Sequence, residues 1–440
     1  MTLLQNTLKM NEGEIMSLGS QNKSNASIKM FEWGLLGAVL FCSSLAAWGQ
    51  GSLPAGEGKE ILETRCTLCH NVERITSRRF APEDWQDTVN RMIGYGAPVD
   101  NDQKAVLVKY LGGNFPSGPL SAGVVIPGNV EVAIKEHTLP TRGTLPHDPM
   151  VARDGSVWYS GQLANLIGRF DPTTGQFKEY RMKTPRSGPN GLVEDKDGNI
   201  WFAGGYRTFI GKLDPRTGEI TEYQLPGEES RPHSITIDPK GTVWFTLNTS
   251  AQVGRLIPST GEVKLVKSPT PNASPYGIAL NSKGVPFFTE SGTNKLGSID
   301  PETMQITEYV VPNPAARPRR IAITPDDVLW YTDNPRGYLG MYDPKTGMHK
   351  EWPSPSGAKS APYGIAAVGN ILWYSESGAK KNTLVRFDPK IEKFQTWLIP
   401  AGGEHGDVMR TIVRNMTRTP EGTLWLALSG TNGIASVEVK

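Results

Sequence analysis

The chain has 440 residues, of which 38% are hydrophobic and 20% are charged, and its formal net charge at pH 7 is +2. This length is typical of more than one globular domain, and a nearly neutral chain without a basic block excludes the usual nucleic-acid-binding surface. With three cysteines in total, the protein is not a disulfide-rich scaffold, so its fold must depend on hydrophobic cores.

The N-terminal segment, residues 1–49, has the layout of a secretory signal peptide. Lys23 and Lys29 precede the apolar run at residues 34–47, which ends in small residues. The run is shorter than the ~20 residues that span a bilayer, so a cleaved signal is favoured over an uncleaved anchor. Cys42 would be removed with it. We therefore expect export to the periplasm and no stable membrane span after cleavage.

Residues 66–70 read Cys-Thr-Leu-Cys-His, which is the C-x-x-C-H signal for covalent attachment of a c-type haem. The thiols of Cys66 and Cys69 form thioethers to the haem vinyl groups, and His70 is the proximal ligand of the iron. A thioredoxin-type site would need a βαβ pattern, and a zinc site would need two further spaced ligands; neither accompanies the motif. The motif therefore predicts one covalent haem c and electron-transfer chemistry.

Residues 52–115 are predicted to form a small all-α domain around this motif. One helix leads into the motif, a second begins at Pro82 with Trp85 on its apolar face, and a third ends at Leu111 before two glycines. This order resembles the class I cytochrome c family, in which a helix precedes the C-x-x-C-H motif, a C-terminal helix closes the domain and a methionine lies between them. The resemblance implies a haem that transfers electrons.

Met92 is the candidate for the second axial ligand of the haem iron. It lies on the apolar face of the second helix and is the only methionine between residues 51 and 149. Since thioether ligation is a standard arrangement in cytochromes c, we expect Met92 to be the distal ligand. The alternative is that Met92 packs in the helix core, as methionines at helical spacing often do.

After a linker at residues 116–129 that is rich in glycine, proline and serine, the chain becomes repetitive. Equivalent aromatic residues recur in the repeats, at first every 43 residues: Trp158, Trp201, Trp244, Phe287, Trp330, Trp373 and Trp425. Each repeat contains short strands separated by turn signals, and such a period is typical of four-stranded propeller blades. Residues 130–440 are therefore predicted to form an all-β propeller with seven blades.

The ends of the repeat series predict how the ring closes. The last repeat ends after its third strand, at residues 433–440, whereas residues 130–139 resemble an isolated fourth strand. We expect this N-terminal strand to complete the seventh blade, because a closed ring leaves no unpaired sheet edge.

Two phrases within the repeats carry a second resemblance. The chain reads Pro-Tyr-Gly-Ile at residues 275–278 followed by Phe-Phe-Thr-Glu at residues 287–290, and Trp-Tyr-Ser-Glu at residues 373–376. These phrases resemble the signatures of the virginiamycin B lyase, or streptogramin lyase, family. The resemblance implies a seven-bladed propeller and, for the lyase, an elimination that uses a histidine base and a magnesium ion held by glutamate. In the lyase pattern a single blade carries both the histidine and the glutamate. No blade of this chain has both residues at the equivalent positions.

Equivalent positions of the repeats define a candidate site in the propeller. The residue after the repeated proline, or its counterpart in the last repeat, is His147, Asn190, His233, Tyr276, Arg319, Tyr363 and Arg414. Glu290, Asp333 and Glu376 recur after the aromatic strand of three consecutive blades. Because equivalent positions share one radius and height, we expect these three acids to converge near His233 and Arg319. Such a cluster suits a divalent cation such as Mg²⁺ or a substrate carbonyl; the alternative is a polar channel with paired charges.

Two classes of function follow from these features. The first is an exported c-type haem electron-transfer protein, an oxidoreductase or the electron-transfer part of one, with the propeller as the domain that binds substrate or partner. Its partners would be a redox protein or a small-molecule electron donor or acceptor. The second is a streptogramin lyase-like C–O lyase, or a hydrolase, with an accessory haem domain. The fusion favours the first class, since an elimination needs no electron acceptor.

Overall fold

The computed structural model describes residues 53–68, 72–76, 82–94, 97–116, 122–227, 231–379, 381–400 and 413–440. The expected signal peptide at residues 1–49 and two residues of the haem motif, Cys69 and His70, lie outside this part of the chain. Among the described residues, no helix has the length and apolar character that a membrane crossing requires.

Of the described helices before residue 116, one begins at Pro82 as the sequence predicts, and the last continues to Asn114, past the predicted end at Leu111. In chain order they are α1 (Lys59–Ile61), which continues as a π-helical turn (Leu62–Cys66), α2 (Val72–Thr76), α3 (Pro82–Gly94) and α4 (Asn101–Asn114). Asp100 caps α4, because its carboxylate accepts a hydrogen bond of 2.8 Å from the Gln103 backbone N–H while the Gln103 side chain accepts one from the Asp100 backbone. This reciprocal pair is a capping box, which stabilises the start of the helix.

Apolar side chains hold α3 against α4. The buried set is Trp85, Val89, Leu107, Tyr110 and Leu111. Trp85 Nε1 donates a 3.0 Å hydrogen bond to the Phe115 carbonyl after α4. Gly58, just before α1, fits against Tyr110, since a Cβ at this position would lie 2.3 Å from the Tyr110 Cβ. The segment that leads into the haem motif is thereby held against α4.

Within the described residues, seven antiparallel four-stranded sheets follow, which confirms the seven-bladed propeller. The chain enters the ring with β1 (Val132–Thr138). The first three blades are β2–β5 (Pro146–Val151, Val157–Gly161, Leu166–Phe170, Phe177–Arg181), β6–β9 (Pro189–Glu194, Ile200–Gly204, Phe209–Leu213, Ile220–Gln224) and β10–β13 (Pro232–Ile237, Val243–Leu247, Gln252–Ile257, Glu262–Lys267).

The remaining four blades continue the same order from inner to outer strand. The fourth to sixth are β14–β17 (Pro275–Leu280, Pro286–Glu290, Lys295–Ile299, Ile306–Val310), β18–β21 (Pro318–Ile323, Leu329–Asp333, Tyr338–Tyr342, His349–Pro353) and β22–β25 (Pro362–Val368, Ile371–Glu376, Thr383–Asp388, Lys393–Leu398). The seventh contains β26 (Val413–Arg418), β27 (Leu424–Leu428) and β28 (Gly433–Val439). Its fourth strand is β1, which pairs antiparallel with β28 from Val132 opposite Val439 to Thr138 opposite Gly433.

The repeated tryptophan packs where neighbouring blades meet. Trp158 of the first blade lies in one buried cluster with Ile200 and Phe209 of the second. Its ring also stacks on Tyr180 of its own outer strand at 5.7 Å. The same stacking recurs in other blades, which is why an aromatic residue appears at a fixed place in each repeat.

Part of the predicted linker lies along the outer strand of the sixth blade. The Thr396 backbone N–H donates to the Ile126 carbonyl at 3.0 Å, and the Thr396 hydroxyl donates to the Val124 carbonyl at 2.6 Å. Gln395 adds a bond of 2.5 Å to the Val130 carbonyl. These contacts cover the edge of β25, which would otherwise be an open template for strand pairing.

Candidate functional site

Residues that follow the repeated proline meet at the centre of the ring. The ring centroids of His147 in the first blade and His233 in the third are 5.4 Å apart, and His233 lies 3.9 Å from the Tyr276 ring of the fourth blade. The hydroxyls of Tyr276 and Tyr363, in the sixth blade, are 2.5 Å apart. Since the first and third blades, like the fourth and sixth, are not neighbours, the His147–His233 and Tyr276–Tyr363 contacts are made across the central channel.

Arg319 of the fifth blade contacts both tyrosine rings. Its guanidinium carbon lies 4.8 Å from the Tyr276 centroid and 4.6 Å from the Tyr363 centroid, which is within cation–π range. Its hydrogen bonds to Asn334 and to the Tyr276 hydroxyl are long, at 3.5 Å each, and its Nε is buried without a partner. The structure thus brings Arg319 and His233, both predicted from the repeat, to the same channel.

A buried ion pair that the repeat pattern does not reveal lies beside these rings. Arg320 donates from Nη2 to Asp148 Oδ1 at 2.6 Å and from Nη1 to Asp148 Oδ2 at 3.2 Å, and both residues are only 4% exposed. Asn415 donates to the same carboxylate at 3.0 Å, and Arg320 also donates to Ser234 Oγ at 3.3 Å. The pair therefore connects the first blade with the third, fifth and seventh.

A bulge in the first strand explains why two successive residues face the channel. In the first blade the pairing register shifts between Pro146 and Pro149, so the strand holds one extra residue. The extra residue interrupts the alternation of side chains along the strand, and His147 and Asp148 both reach the channel. The fifth blade has the same bulge, which presents its two successive arginines together. The register shifts at the same place in all seven blades, so the bulge belongs to the fold, and no signal in the repeat pattern marks Asp148 and Arg320.

His147 and Asp148 form a histidine–carboxylate pair, with Nδ1 2.7 Å from Oδ1. Burial lowers the pKa of His147 to about 4 against the opposite effect of Asp148, and burial also lowers the pKa of His233 well below its usual value. Burial would raise the pKa of Asp148, but Arg320 and the bond from His147 hold that pKa below its usual range. Because an ionised carboxylate only accepts hydrogen bonds, Nδ1 carries the proton and Nε2 keeps a free lone pair.

Three arginines act on the tyrosine pair. Burial would raise the pKa of Tyr363, but the positive charges of Arg319, Arg414 and Arg320 outweigh this effect and bring the pKa to about 7. Burial raises the pKa of Tyr276. The channel therefore holds a tyrosine hydroxyl that is more acidic than usual. We call the following set the central cluster: His147, Asp148, His233, Tyr276, Arg319, Arg320, Tyr363 and Arg414.

The three expected acids, Glu290, Asp333 and Glu376, do not join the central cluster. All three are fully buried, and each is bound away from the channel. Among the described residues, no group of three His, Cys, Asp or Glu side chains is placed to hold a metal ion. The expected acid cluster, and the Mg²⁺ site built on it, are thus not formed by the described part of the chain.

The alternation of side chains along the second strand explains this outcome. The Thr289 hydroxyl donates to the Arg319 carbonyl at 2.6 Å, and the Thr332 hydroxyl donates to the Tyr363 carbonyl at 2.9 Å. These threonines thus support the first strand of the next blade. Successive strand residues face opposite sides of a sheet, so the acid that follows each threonine is directed to the other side of the blade.

Local partners hold Asp333 and Glu376 in place. Asp333 accepts a hydrogen bond of 2.8 Å from Arg336 and one of 3.2 Å from the Arg317 backbone N–H. Glu376 accepts bonds from the backbone N–H and the hydroxyl of Ser356 at 2.8 and 2.5 Å. Both acids therefore brace loops and outer strands of their own blades.

Glu290 has the least satisfied carboxylate of the three. It accepts a hydrogen bond of 3.1 Å from Thr293, while its Oε1 is buried without a partner. Burial, followed by the charge of Glu308, raises the pKa of Glu290 to about 7. Glu308 itself is paired with Lys295 at 2.5 Å. Glu290 is thus a buried acid that gains its proton near neutral pH.

The described residues of the haem motif and of α3 include side chains of the types that attach and ligate a c-type haem. Cys66 is half-buried at the end of the π-helical turn, and Leu68 within the motif is 66% exposed. Met92 is half-buried on α3. A thiol is the group that forms the covalent bond to a haem vinyl group, and a methionine thioether is an iron ligand in cytochromes c. Cys69 and His70 lie outside the described residues.

Comparisons with known proteins cover both parts of the chain. Residues 56–117 match the haem-binding domain of the quinohemoprotein amine dehydrogenase A alpha subunit. Residues 123–264 and 256–440 match the Virginiamycin B lyase family. No curated protein sequence matches the chain.

The propeller is also similar to solved structures. A streptogramin B lyase is 27% identical, with a TM-score of 0.64, and covers 70% of this chain and 98% of its own. The virginiamycin B lyase of Staphylococcus aureus is 28% identical, with a TM-score of 0.62, and covers 70% and 99%. Hydrazine synthase of Kuenenia stuttgartiensis, at 14% identity and a TM-score of 0.56, covers 68% and 96% and shares the fold alone. Because the family match spans more than half of the chain, the protein belongs to the Virginiamycin B lyase family.

Proposed function

We propose that this protein is an exported c-type haem electron-transfer protein whose propeller channel binds the molecule that exchanges electrons with the haem domain. The observation that carries this proposal is the C-x-x-C-H motif at residues 66–70, which lies inside the segment that matches a haem-binding domain. The same chain continues into a propeller with buried titratable groups at its centre. A haem domain fused to a polar binding channel suits a redox reaction better than an elimination, which needs no electron acceptor.

The residues that would hold the haem are those of the motif and α3. Cys66 and Cys69 would form the thioethers, His70 would be the proximal ligand and Met92 the distal one, as in class I cytochromes c. A bound haem c supplies a store for one electron at a time. A periplasmic location accompanies this proposal, because the predicted signal at residues 1–49 directs export.

The central cluster would handle the proton that accompanies electron loss from a substrate. His147 Nε2 has a free lone pair because Asp148 holds the other ring nitrogen as a donor. Asp148 is in turn fixed by Arg320, so the imidazole keeps one orientation. His147 is therefore our candidate general base, and Asp148 its positioning residue.

A streptogramin lyase-like C–O lyase with an accessory haem domain is the second candidate. It is favoured by the similarity to streptogramin B lyase over nearly the whole length of that chain. His147 and His233 would supply the base for an elimination. The haem would then take no part in the reaction.

We expect Cys66→Ser combined with Cys69→Ser to abolish the c-type haem spectrum, because both thioethers are lost. The measurement is a pyridine haemochrome assay after acid-acetone extraction, which removes haem that is not covalently attached. Met92→Ala should retain the haem but lose the weak sulfur-to-iron charge-transfer band of the oxidised protein. Wild-type haem that is lost on extraction would contradict covalent attachment, and an unchanged band would reassign the distal ligand.

We expect His147→Gln to slow substrate-dependent haem reduction by about 10²–10⁴-fold, since a positioned general base contributes roughly this factor. The substrate comes from a screen of small metabolites for reduction of the purified protein, followed by haem absorbance. His349→Gln is the matched control, because His349 binds Tyr331 in the outer part of the fifth blade. Turnover of a streptogramin without any change in haem oxidation state would replace the electron-transfer proposal with the lyase.

A further inference from the structure

The central cluster contains more positive than negative charge. Its guanidinium groups belong to Arg319, Arg320 and Arg414, whereas Asp148 supplies the one carboxylate that contacts it in the described residues. Arg320 is neutralised by Asp148 at 2.6 Å. Among the described residues, neither Arg319 nor Arg414 has a carboxylate partner, and the Nε of each is buried without a hydrogen bond. Among the described residues, these two guanidinium groups thus lack a carboxylate as counter-charge, and the acidic group that faces them is the hydroxyl of Tyr363, whose pKa they lower.

The surroundings of Arg319 prepare it to bind an anion. Its guanidinium lies against the Tyr276 and Tyr363 rings, its Nη1 and Nη2 make long hydrogen bonds of 3.5 Å, and its Nε makes none. A guanidinium stays charged at any physiological pH. Placing it in a protein interior without a carboxylate partner is costly, because removal of a charge from water is offset only by a well-placed opposite charge. A ligand that supplies this charge would therefore gain both Coulomb energy and hydrogen bonds.

We propose that the central cluster binds an organic carboxylate, with the carboxylate held by Arg319 and Arg414 next to His147. This inference rests on the proposed function for the location of the site and adds the substrate class. A planar carboxylate matches the fork of N–H donors on arginine. With its anionic end held by the arginines, the molecule's adjacent carbon or hydroxyl faces the Nε2 of His147.

The test is isothermal titration calorimetry of the full-length holoprotein with acetate, phosphate and acetamide as probes. We expect acetate to bind and acetamide, its uncharged analogue, to bind at least about tenfold more weakly, because the charge-assisted hydrogen bonds are lost. Arg319→Gln and Arg414→Gln should each weaken acetate binding by about tenfold or more. Arg319→Lys keeps the positive charge but loses the fork of N–H donors. Its affinity for acetate should therefore lie between those of the wild-type protein and Arg319→Gln.

Arg153→Gln is the matched control, because the Arg153 side chain is 60% exposed where it pairs with Glu194. A second readout is the phenolate absorbance of Tyr363, whose charged neighbours are Arg319, Arg320 and Arg414, and whose titratable neighbour is Tyr276. Bound acetate offsets the arginines, so phenolate formation should move to higher pH. The signal should vanish in Tyr363→Phe.

The outcomes separate this proposal from the proposed electron transfer. If acetate binds and no metabolite reduces the haem, the anion site stands and the electron-transfer proposal fails. If a neutral substrate reduces the haem and acetamide binds as well as acetate, the anion site is overturned while electron transfer stands. Phosphate that binds tighter than acetate would overturn the carboxylate assignment, and acetate affinity that is unchanged in both arginine variants would overturn the site.

Discussion

Deletion of residues 130–139 is expected to abolish cooperative folding of the propeller and to cause aggregation. The deletion removes β1, which pairs with β28 over its whole length, and exposes the edge of β28 to other chains. It also removes Val132 and Ile134 from the core of the seventh blade and the buried Leu139 from its junction with the first. Full burial of such a side chain stabilises by ~1.5–3 kcal/mol, and Val132 and Ile134 are partly buried. The apolar loss of a few kcal/mol adds to the loss of the β1–β28 pairing, against the ~5–15 kcal/mol that a whole domain has.

The measurements are size-exclusion chromatography and thermal unfolding of the deleted protein. The control is a permuted chain in which residues 130–139 follow Lys440 through a short turn. Val132 lies opposite Val439 in the antiparallel pair, so this permutation joins neighbouring strand ends as a hairpin and should restore a folded monomer. A monomeric protein with cooperative unfolding after the simple deletion would show that β1 does not close the ring.

Asp148→Asn is expected to lower the free energy of unfolding by about 3–5 kcal/mol, the cost of removing one partner from a buried ion pair. The substitution leaves Arg320 buried without its counter-charge. It also weakens the bond from Asn415 and the link from His147. Because these partners come from separate blades, the loss affects the whole ring rather than a single sheet.

Chemical denaturation followed by tryptophan fluorescence measures this change. Glu302→Gln is the matched control, since Glu302 forms an ion pair with Lys240 in which the side chains are 75% and 74% exposed. Exposed pairs contribute about 0–1 kcal/mol. If Asp148→Asn is no less stable than the Glu302→Gln control, the ion pair between Asp148 and Arg320 does not contribute the expected stability.

The repeat architecture could be predicted from the sequence because it depends on local and periodic features. Turn residues and the recurring aromatic position mark each blade, and a strand count shows that the last blade lacks one strand. The start of α3 at Pro82 is equally local, since it depends on the backbone groups of a helix end. The channel positions of His233 and Arg319 follow from repeat equivalence alone.

Which side chains form the central cluster could not be predicted from the spacing of the repeats. A one-residue bulge decides that Asp148 and Arg320 face the channel beside the expected positions. The alternation of the second strand decides that Glu290 does not join the cluster, because Thr289 takes the side that faces the next blade and Glu290 takes the opposite side. Pairing register and strand direction are set by contacts between residues far apart in the chain, so side chains at equivalent places in the sequence meet, or stay apart, only once the ring is closed.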